Sequence, residues 1–319
     1  MSQFLSNRER VKRHYSSRAT PNEPGKVSGR VKLSERANGP AYPLKRFHNE
    51  VKRSLLQEFA QDSSRLLDLA CGRGGDIHKW AKMRIRYVLG VDLSGDEIAE
   101  AHRRYEEAIE ANAGNKNYSF LCEFKETDKL GLEPCVFGEE YDIVTCMFAI
   151  HYFFESENMA LTFLSNVADN LKNGGYFLGC FPEGKRVLKS LNKKDSVEKP
   201  MFSIKKLWKG EPRCFGSGYC ISITNTVVET DTESSLVEYL VFFNVLVELA
   251  KKVHLYPIPR YQNPHLNGLF EDEDLNEPFK HFFAHYPGSD ESLEETSSLY
   301  VGFAFQKRLP NHPTPADKR

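Results

Sequence analysis

The sequence predicts an α/β fold: a doubly wound, mostly parallel sheet with helices on both faces, and a block of antiparallel β inserted late in the chain. Three observations predict it. Strand-length apolar runs alternate with helix-length amphipathic runs from Leu66 to Phe181. The first of these strands breaks into glycines and a helix start in LLDLACGRGGDIHKW, residues 66–80. After Pro182 the spacing changes, and YCISITNTVVE, residues 219–229, alternates with the period of an antiparallel strand.

Residues 1–40 are polar and rich in Arg, Ser, Pro and Gly, which predicts a flexible N-terminal arm with little regular structure. The main domain is expected over 41–307, opening with a helix at about 44–60. Leu66 to Leu69 read as the first strand, Cys71 to Gly75 as a sharp turn and Asp76 to Trp80 as a helix start. Glycine has no Cβ to hold a ligand away from bare backbone N–H groups, so the turn points to a nucleotide-like cofactor. It is neither a P-loop nor a clean GxGxxG. A second strand runs from Tyr87 to Asp92, followed by the charged helix GDEIAEAHRRYEEAIEA. Then come YSFLCEFKETD, YDIVTCMFAIHYFF, the helix LTFLSNVADNLK closed by Asn173-Gly174-Gly175, and the strand YFLGCF. An insertion is expected at about 183–235, then one apolar helix over SLVEYLVFFNVLVELAKKV, a turn-rich acidic stretch and a last strand in SLYVGFAFQKR. The proline-rich tail 308–319 is expected to be disordered.

Composition narrows the classes. A hydrophobic content of 40% over 319 residues is ample for a core, and a net charge of −1 excludes a wholesale polycation. Nucleic-acid contact therefore requires a local basic patch, and Lys and Arg are frequent in the first third. Seven scattered cysteines without a CxxC pair predict reduced thiols and no metal site. MSQFLSNRERVKRHY lacks the apolar core of a signal peptide, and no apolar run is long enough to span a bilayer. The expectation is a soluble intracellular protein.

In a doubly wound sheet ligands sit beyond the carboxyl ends of the strands. Asp92 ends the second strand, where an acidic residue takes two ribose hydroxyls of either a dinucleotide or S-adenosylmethionine; the bland reading is a helix cap. Asp128, ending the third, suits the adenine amino group, which dehydrogenases seldom need. With the Gly-Gly turn before the fifth strand and the late strand hairpin, this selects a class I methyltransferase (Rossmann-like) fold. That means a seven-stranded, mostly parallel sheet with an inserted antiparallel β lid.

His151 and Tyr152 leave the fourth strand where an ordinary core would continue apolar, which places them at the acceptor side of the crevice. Glu248 interrupts the apolar run LVFFNVLVELA. If buried it requires a partner, and the N–H donors of guanine's Watson–Crick edge match two carboxylate oxygens. If it lies on the wet side of the helix it means nothing.

Together, VKRHYSS, KRFHNEVKRSLL, LLDLACGRGGDIHKW, GVDLS with HRRYEE, FAIHYFFES, NGGYFLGCFPEG, FGSGYCISI, LVELAKK and SLYVGFAF resemble, in order and spacing, the mRNA cap guanine-N7 methyltransferases, from about Val11 to Lys307. The resemblance implies methyl transfer from S-adenosylmethionine to guanine N7 of the GpppN cap, with S-adenosylhomocysteine as product. It implies cofactor contacts at Lys52, Ala70, Gly72, Asp92, Asp128, Met147 and Tyr152. The cap guanosine falls to His48, Asn49, His151, Glu248 and Tyr300, and the cap phosphates and ribose to Arg73, Lys79 and Arg104. Three positions depart from the family pattern. Ala70 replaces a glycine, a small change provided φ there stays below zero; Met147 replaces a glutamine; His48 replaces an asparagine.

Guanine N7 carries a free lone pair, so no general base is expected; His151, Tyr152, Glu248 and Tyr300 orient. The competing readings are a methyltransferase acting on another RNA or a small molecule, and a non-catalytic cap-binding relative. Expected partners are 5'-capped RNA, with other capping enzymes or the transcription machinery as further candidates; no membrane is expected, and the chain is expected to be a monomer. The reaction places it in the nucleus, with a cytoplasmic capping system as the alternative.

Overall fold

Five strands run in parallel: β1 (Arg65–Leu69), β2 (Tyr87–Asp92), β3 (Leu121–Glu126), β4 (Tyr141–Met147) and β5 (Leu171–Pro182). The computed structural model describes residues 6–19, 39–115, 118, 120–224, 226, 236–271, 278–286 and 290–310. After β5 an insert carries β6 (Ser196–Glu198), β7 (Phe202–Lys206), β8 (Gly218–Ile223) and β9 (Val237–Tyr239), a separate antiparallel sheet in that order. The chain then returns through β10 (Leu255–Pro257), β11 (Lys280–His281) and β12 (Tyr300–Lys307). The main sheet has the order β10-β12-β5-β4-β1-β2-β3, with β11 also pairing β12. This is the expected seven-strand path with one short addition, and β12 is antiparallel to β5.

Strands β1, β2, β4 and β5 are mostly buried on both faces, which explains their near-continuous apolar sequences, whereas the edge strand β3, LCEFKE, buries only Cys122 and Phe124. Leu66, Ile143 and Leu178 face one core layer, while Leu67, Val144 and Phe177 face the other. The helices are α1 (Asn7–Ala19), α2 (Tyr42–Phe59), α3 (Ile77–Lys82), α4 (Gly95–Ala111), α5 (Glu157–Asn170), α6 (Gly184–Leu191) and α7 (Phe243–Lys252), with shorter ones beyond. Ser94 and Ser156 cap α4 and α5 by accepting the N–H of Glu97 and Met159, so both helices start where a polar side chain meets the apolar period. Strand order reverses between β4 and β1, which opens the crevice there.

Two expectations fail here. Residues 7–19 of the supposed arm are helical, and α1 lies against α4; residues 20–38 and the tail from 311 fall outside the described residues, as does most of the acidic stretch. The supposed single helix over 235–253 is strand β9, a short link and then α7. Leu236, Glu238 and Leu240 are buried, and so are Tyr239 and Val241, because the strand is covered on both sides; a continuous apolar run does not distinguish a buried strand from a helix. The antiparallel insert consequently reaches Tyr239, slightly beyond its expected end.

Candidate active site

The glycine turn is held by its neighbours. The N–H of Cys71 donates to the Val91 carbonyl at 3.0 Å, and that of Gly72 to Asp92 Oδ2 at 2.8 Å. Asp92 Oδ1 accepts from the Ser94 N–H at 2.9 Å. Burial raises the Asp92 carboxyl above the usual range, and these N–H donations limit the rise. Gly72 and Gly74 take φ of +52° and +68°, and a Cβ on Gly75 would meet nothing within 4 Å. An open backbone beside a fixed carboxylate fits a nucleoside with ribose hydroxyls. Ala70 also has φ of +60°, so the proviso attached to its replacement of glycine fails. A side chain there costs roughly 1–2 kcal/mol.

Asp76 is the hub of the turn's far side. Lys52 and Lys79 meet it at 2.8 and 2.6 Å, and Lys79 also donates to Asn49 Oδ1 at 2.8 Å. Burial alone would raise the Asp76 carboxyl, but the two ammonium groups outweigh it and hold the group well below the carboxylate range. Arg73 makes a two-pronged pair with Glu97, at 3.0 and 2.6 Å, and Arg104 pairs with Glu100 at 2.9 Å. Lys79, Arg73 and Arg104 are thus each committed to a carboxylate and form no free phosphate cradle. Asp128 is an exposed group facing Arg8 of α1. Met147 ends β4 half-buried, one position before Phe148, whose φ of +61° turns the chain out of the sheet.

That turn delivers a 3-10 segment, Ile150–Glu155, carrying His151 and Tyr152. His151 is buried, and neither ring nitrogen has a hydrogen-bond partner among the described residues. Burial lowers its pKa to about 3, so the ring is neutral. Its Nε2 lies 3.5 Å from a carboxylate oxygen, misaligned for a hydrogen bond, and that carboxylate belongs to Glu238. Glu238 on β9 is 4% exposed and accepts from the Tyr219 hydroxyl at 2.9 Å across the β8–β9 pair. Burial pushes its pKa up to about 7, against the Tyr219 hydrogen bond. Tyr300, opposite Pro182 at the end of β5, is close enough for Glu238 to raise its pKa further beyond the effect of burial. His48 approaches Tyr300 edge-on at 4.8 Å and stacks on Phe148 at 5.2 Å; its Nε2 is closed off and has no partner among the described residues. From α1, Tyr15 brings its hydroxyl to 3.3 Å from that of Tyr152, and Ser16 reaches Ser94 at 3.0 Å.

The structure therefore gathers His48, His151, Tyr152 and Tyr300 as expected neighbours, and leaves Glu248 out. Glu248 lies on the wet face of α7, its side chain 70% exposed and paired with Lys251 at 2.7 Å. The physical reason is its helix: an amphipathic segment turns one stripe to solvent, and Glu248 is on it. Glu238, Tyr219 and Tyr15 were missed. The signal for Glu238 was present in LVEYLV, a lone acid between apolar strand residues, but it required reading a strand there.

A mostly parallel sheet with an antiparallel β5–β12 edge, a glycine turn after β1 and an acid ending β2 defines a class I methyltransferase fold. A solved S-adenosylmethionine-dependent methyltransferase from Clostridium acetobutylicum shares it, at TM-score 0.50 and 14% identity over 87% of this chain and 96% of that one. The family model for the mRNA (guanine-N(7))-methyltransferase domain matches residues 5–308, and the chain belongs to that family. Among its relatives are mRNA cap guanine-N(7) methyltransferase 1 of Arabidopsis thaliana and the mRNA cap guanine-N(7) methyltransferase of Saccharomyces cerevisiae. The first is 29% identical over 96% of this chain and 88% of its own length, and the second 30% identical over 93% and 69%.

Proposed function

We propose that the chain transfers a methyl group to guanine N7 of the GpppN cap of mRNA, with Glu238 as the carboxylate that orients the base. The observation that carries this is a buried acid beside a buried neutral histidine with unpartnered nitrogens, at the crevice end of β4. Such polar atoms cost free energy until a ligand supplies partners, and adjacent N–H donors on a purine edge would do so.

S-adenosylmethionine supplies an electrophilic methyl carbon on a sulfonium centre. Asp92, the Gly72 turn, Met147 and Tyr152 would hold it, whereas Lys52 is already paired with Asp76. Guanine N7 has its own lone pair, so the residues here remove no proton; they align the nucleophile and exclude water, which can be worth about 7–11 kcal/mol. Positive charge passes into the guanine ring as the bond forms, and Glu238 with the faces of Tyr152 and Tyr300 favours that change. Nuclear capping of nascent mRNA is the setting this reading implies.

The test is methyl transfer from labelled S-adenosylmethionine to GpppRNA, with m7GpppRNA and pppRNA as controls. Label found as 7-methylguanosine, and only from the unmethylated cap, is the expected result. Label in any other nucleotide would sink the proposal.

A further inference from the structure

We infer that one edge of the inserted antiparallel sheet grips the RNA chain immediately downstream of the cap; this rests on the function proposed above. Residues 185–213 hold ten Lys and Arg against three Asp and Glu, whereas acids outnumber bases in the rest of the chain. This stretch, rather than the whole insert, whose later part from 214 to 239 carries acids and no Lys or Arg, is the local basic patch that the near-zero net charge requires of a nucleic-acid binder.

Strand register brings these cations to one place. The Lys206 N–H donates to the Asp195 carbonyl at 2.9 Å, so the turn before β6 lies beside the end of β7. That edge carries Lys193, Lys194, Lys205, Lys209 and Arg213, all exposed, and none of them meets a carboxylate among the described residues. Lys206 and Lys199 are tied to Asp195 and Glu295 and are not counted. Between the cations stand Leu207, 48% exposed, and the half-buried Trp208. Cations left unpaired among the described residues, flanking a half-buried tryptophan, suit a single strand, whose phosphates take the charge.

The same edge adjoins the acceptor pocket. Lys206 is the register partner of Tyr219, the residue that bonds Glu238. The loop after it is pinned to the 3-10 segment: the Gly216 N–H donates to the Phe154 carbonyl at 3.0 Å, and Phe215 stacks on Phe154 at 5.7 Å. Phe154 is two residues from Tyr152. The backbone at Lys206 lies two strand spacings, roughly 10 Å, from Glu238, and the loop that follows carries Lys209 and Arg213 back toward the 3-10 segment. That location favours RNA over an acidic protein, which would have no reason to abut the acceptor pocket.

The experiment compares wild type with the triple variant Lys205→Glu, Lys209→Glu, Arg213→Glu, using the dinucleotide GpppA and a capped oligoribonucleotide over a range of KCl. The wild type should show a lower KM for the capped RNA, an advantage that salt erodes. The variant should retain its kcat and KM for GpppA, which also shows that it is folded. Its KM for capped RNA should rise, and the slope of log KM against log salt should fall by about 2, at ~0.7 per phosphate contact on a single strand. If the variant does not fold, Lys209→Gln and Arg213→Gln each take its place, with about one third of the slope change apiece. An unchanged length advantage and slope would overturn the inference and leave the edge to an acidic protein. Absence of methyl transfer to GpppA by the wild type would instead be a failure of the proposed function.

Discussion

The two halves of the crevice solve opposite problems. On the donor side, at the glycine turn between β1 and β2, three polar groups are already satisfied: Asp92 by two N–H groups, Asp76 by two lysines, Arg73 by Glu97. On the acceptor side, around the β4 exit and β9, others are not: among the described residues, His48 and His151 have closed-off nitrogens without partners, and Glu238 accepts a hydrogen bond from Tyr219 alone. The donor side is thus held by its own hydrogen bonds and ion pairs. The acceptor side holds a desolvation cost that the right base relieves and a wrong one does not, which makes it the place where specificity resides.

The sharpest test of that contrast is Glu238→Ala against Glu248→Ala. Losing Glu238 leaves guanine donors unpaired in a closed pocket, so kcat/KM for capped RNA should fall about 100- to 1000-fold, ~3–4 kcal/mol. Glu248→Ala should stay within about twofold, since an exposed ion pair contributes ~0–1 kcal/mol. Equal losses would break the comparison.

Glu238 also sets a pH dependence. Its folded-state pKa of about 7 lies above the ordinary carboxylate value, so below pH 7 the carboxylate is lost and kcat/KM for the cap should decline. For stability the sign is the reverse: the folded protein holds this proton more tightly than the unfolded chain, so stability falls as pH rises from about 4.5 to 7 and the penalty is complete above it. Glu238→Gln should therefore gain on wild type across that window, by up to ~3 kcal/mol in urea denaturation. A pH-independent difference would mean that Glu238 titrates normally.

On the donor side, Lys79→Ala tests whether this cation belongs to Asp76 or to a ligand. Breaking a buried pair usually costs ~3–5 kcal/mol, and because Lys52 still faces Asp76 we expect about 2 kcal/mol, with the affinity for GpppA little changed. Unchanged stability with weakened GpppA binding would return Lys79 to the phosphate site.

The smallest effect is expected at Ala70. Glycine there removes the left-handed strain and should stabilise the fold by about 1 kcal/mol, less the extra backbone freedom of its unfolded chain. Thermal unfolding of Ala70→Gly decides it, and a lower Tm would show that the backbone at 70 is not strained.

Much of this molecule was legible because its signals are local. Alternating strand and helix periods, the glycine turn, Asp92 at a strand end and His151-Tyr152 at a strand exit are all contained within a few residues of sequence, and each fixes its own placement once the sheet is parallel. By itself the sequence determined the fold class, the donor turn and half of the acceptor pocket. Tertiary structure alone decided the rest. Whether a glutamate in an apolar run is buried depends on whether that run is strand or helix and on what pairs with it. Glu238 gained its environment from Tyr219, 19 residues away, while Glu248 was turned to solvent. Tyr15 reached Tyr152 across 137 residues, and φ at Ala70 was set by the neighbours of the turn. Contacts over such separations leave no period in a sequence, because they are selected by packing rather than by local backbone preference.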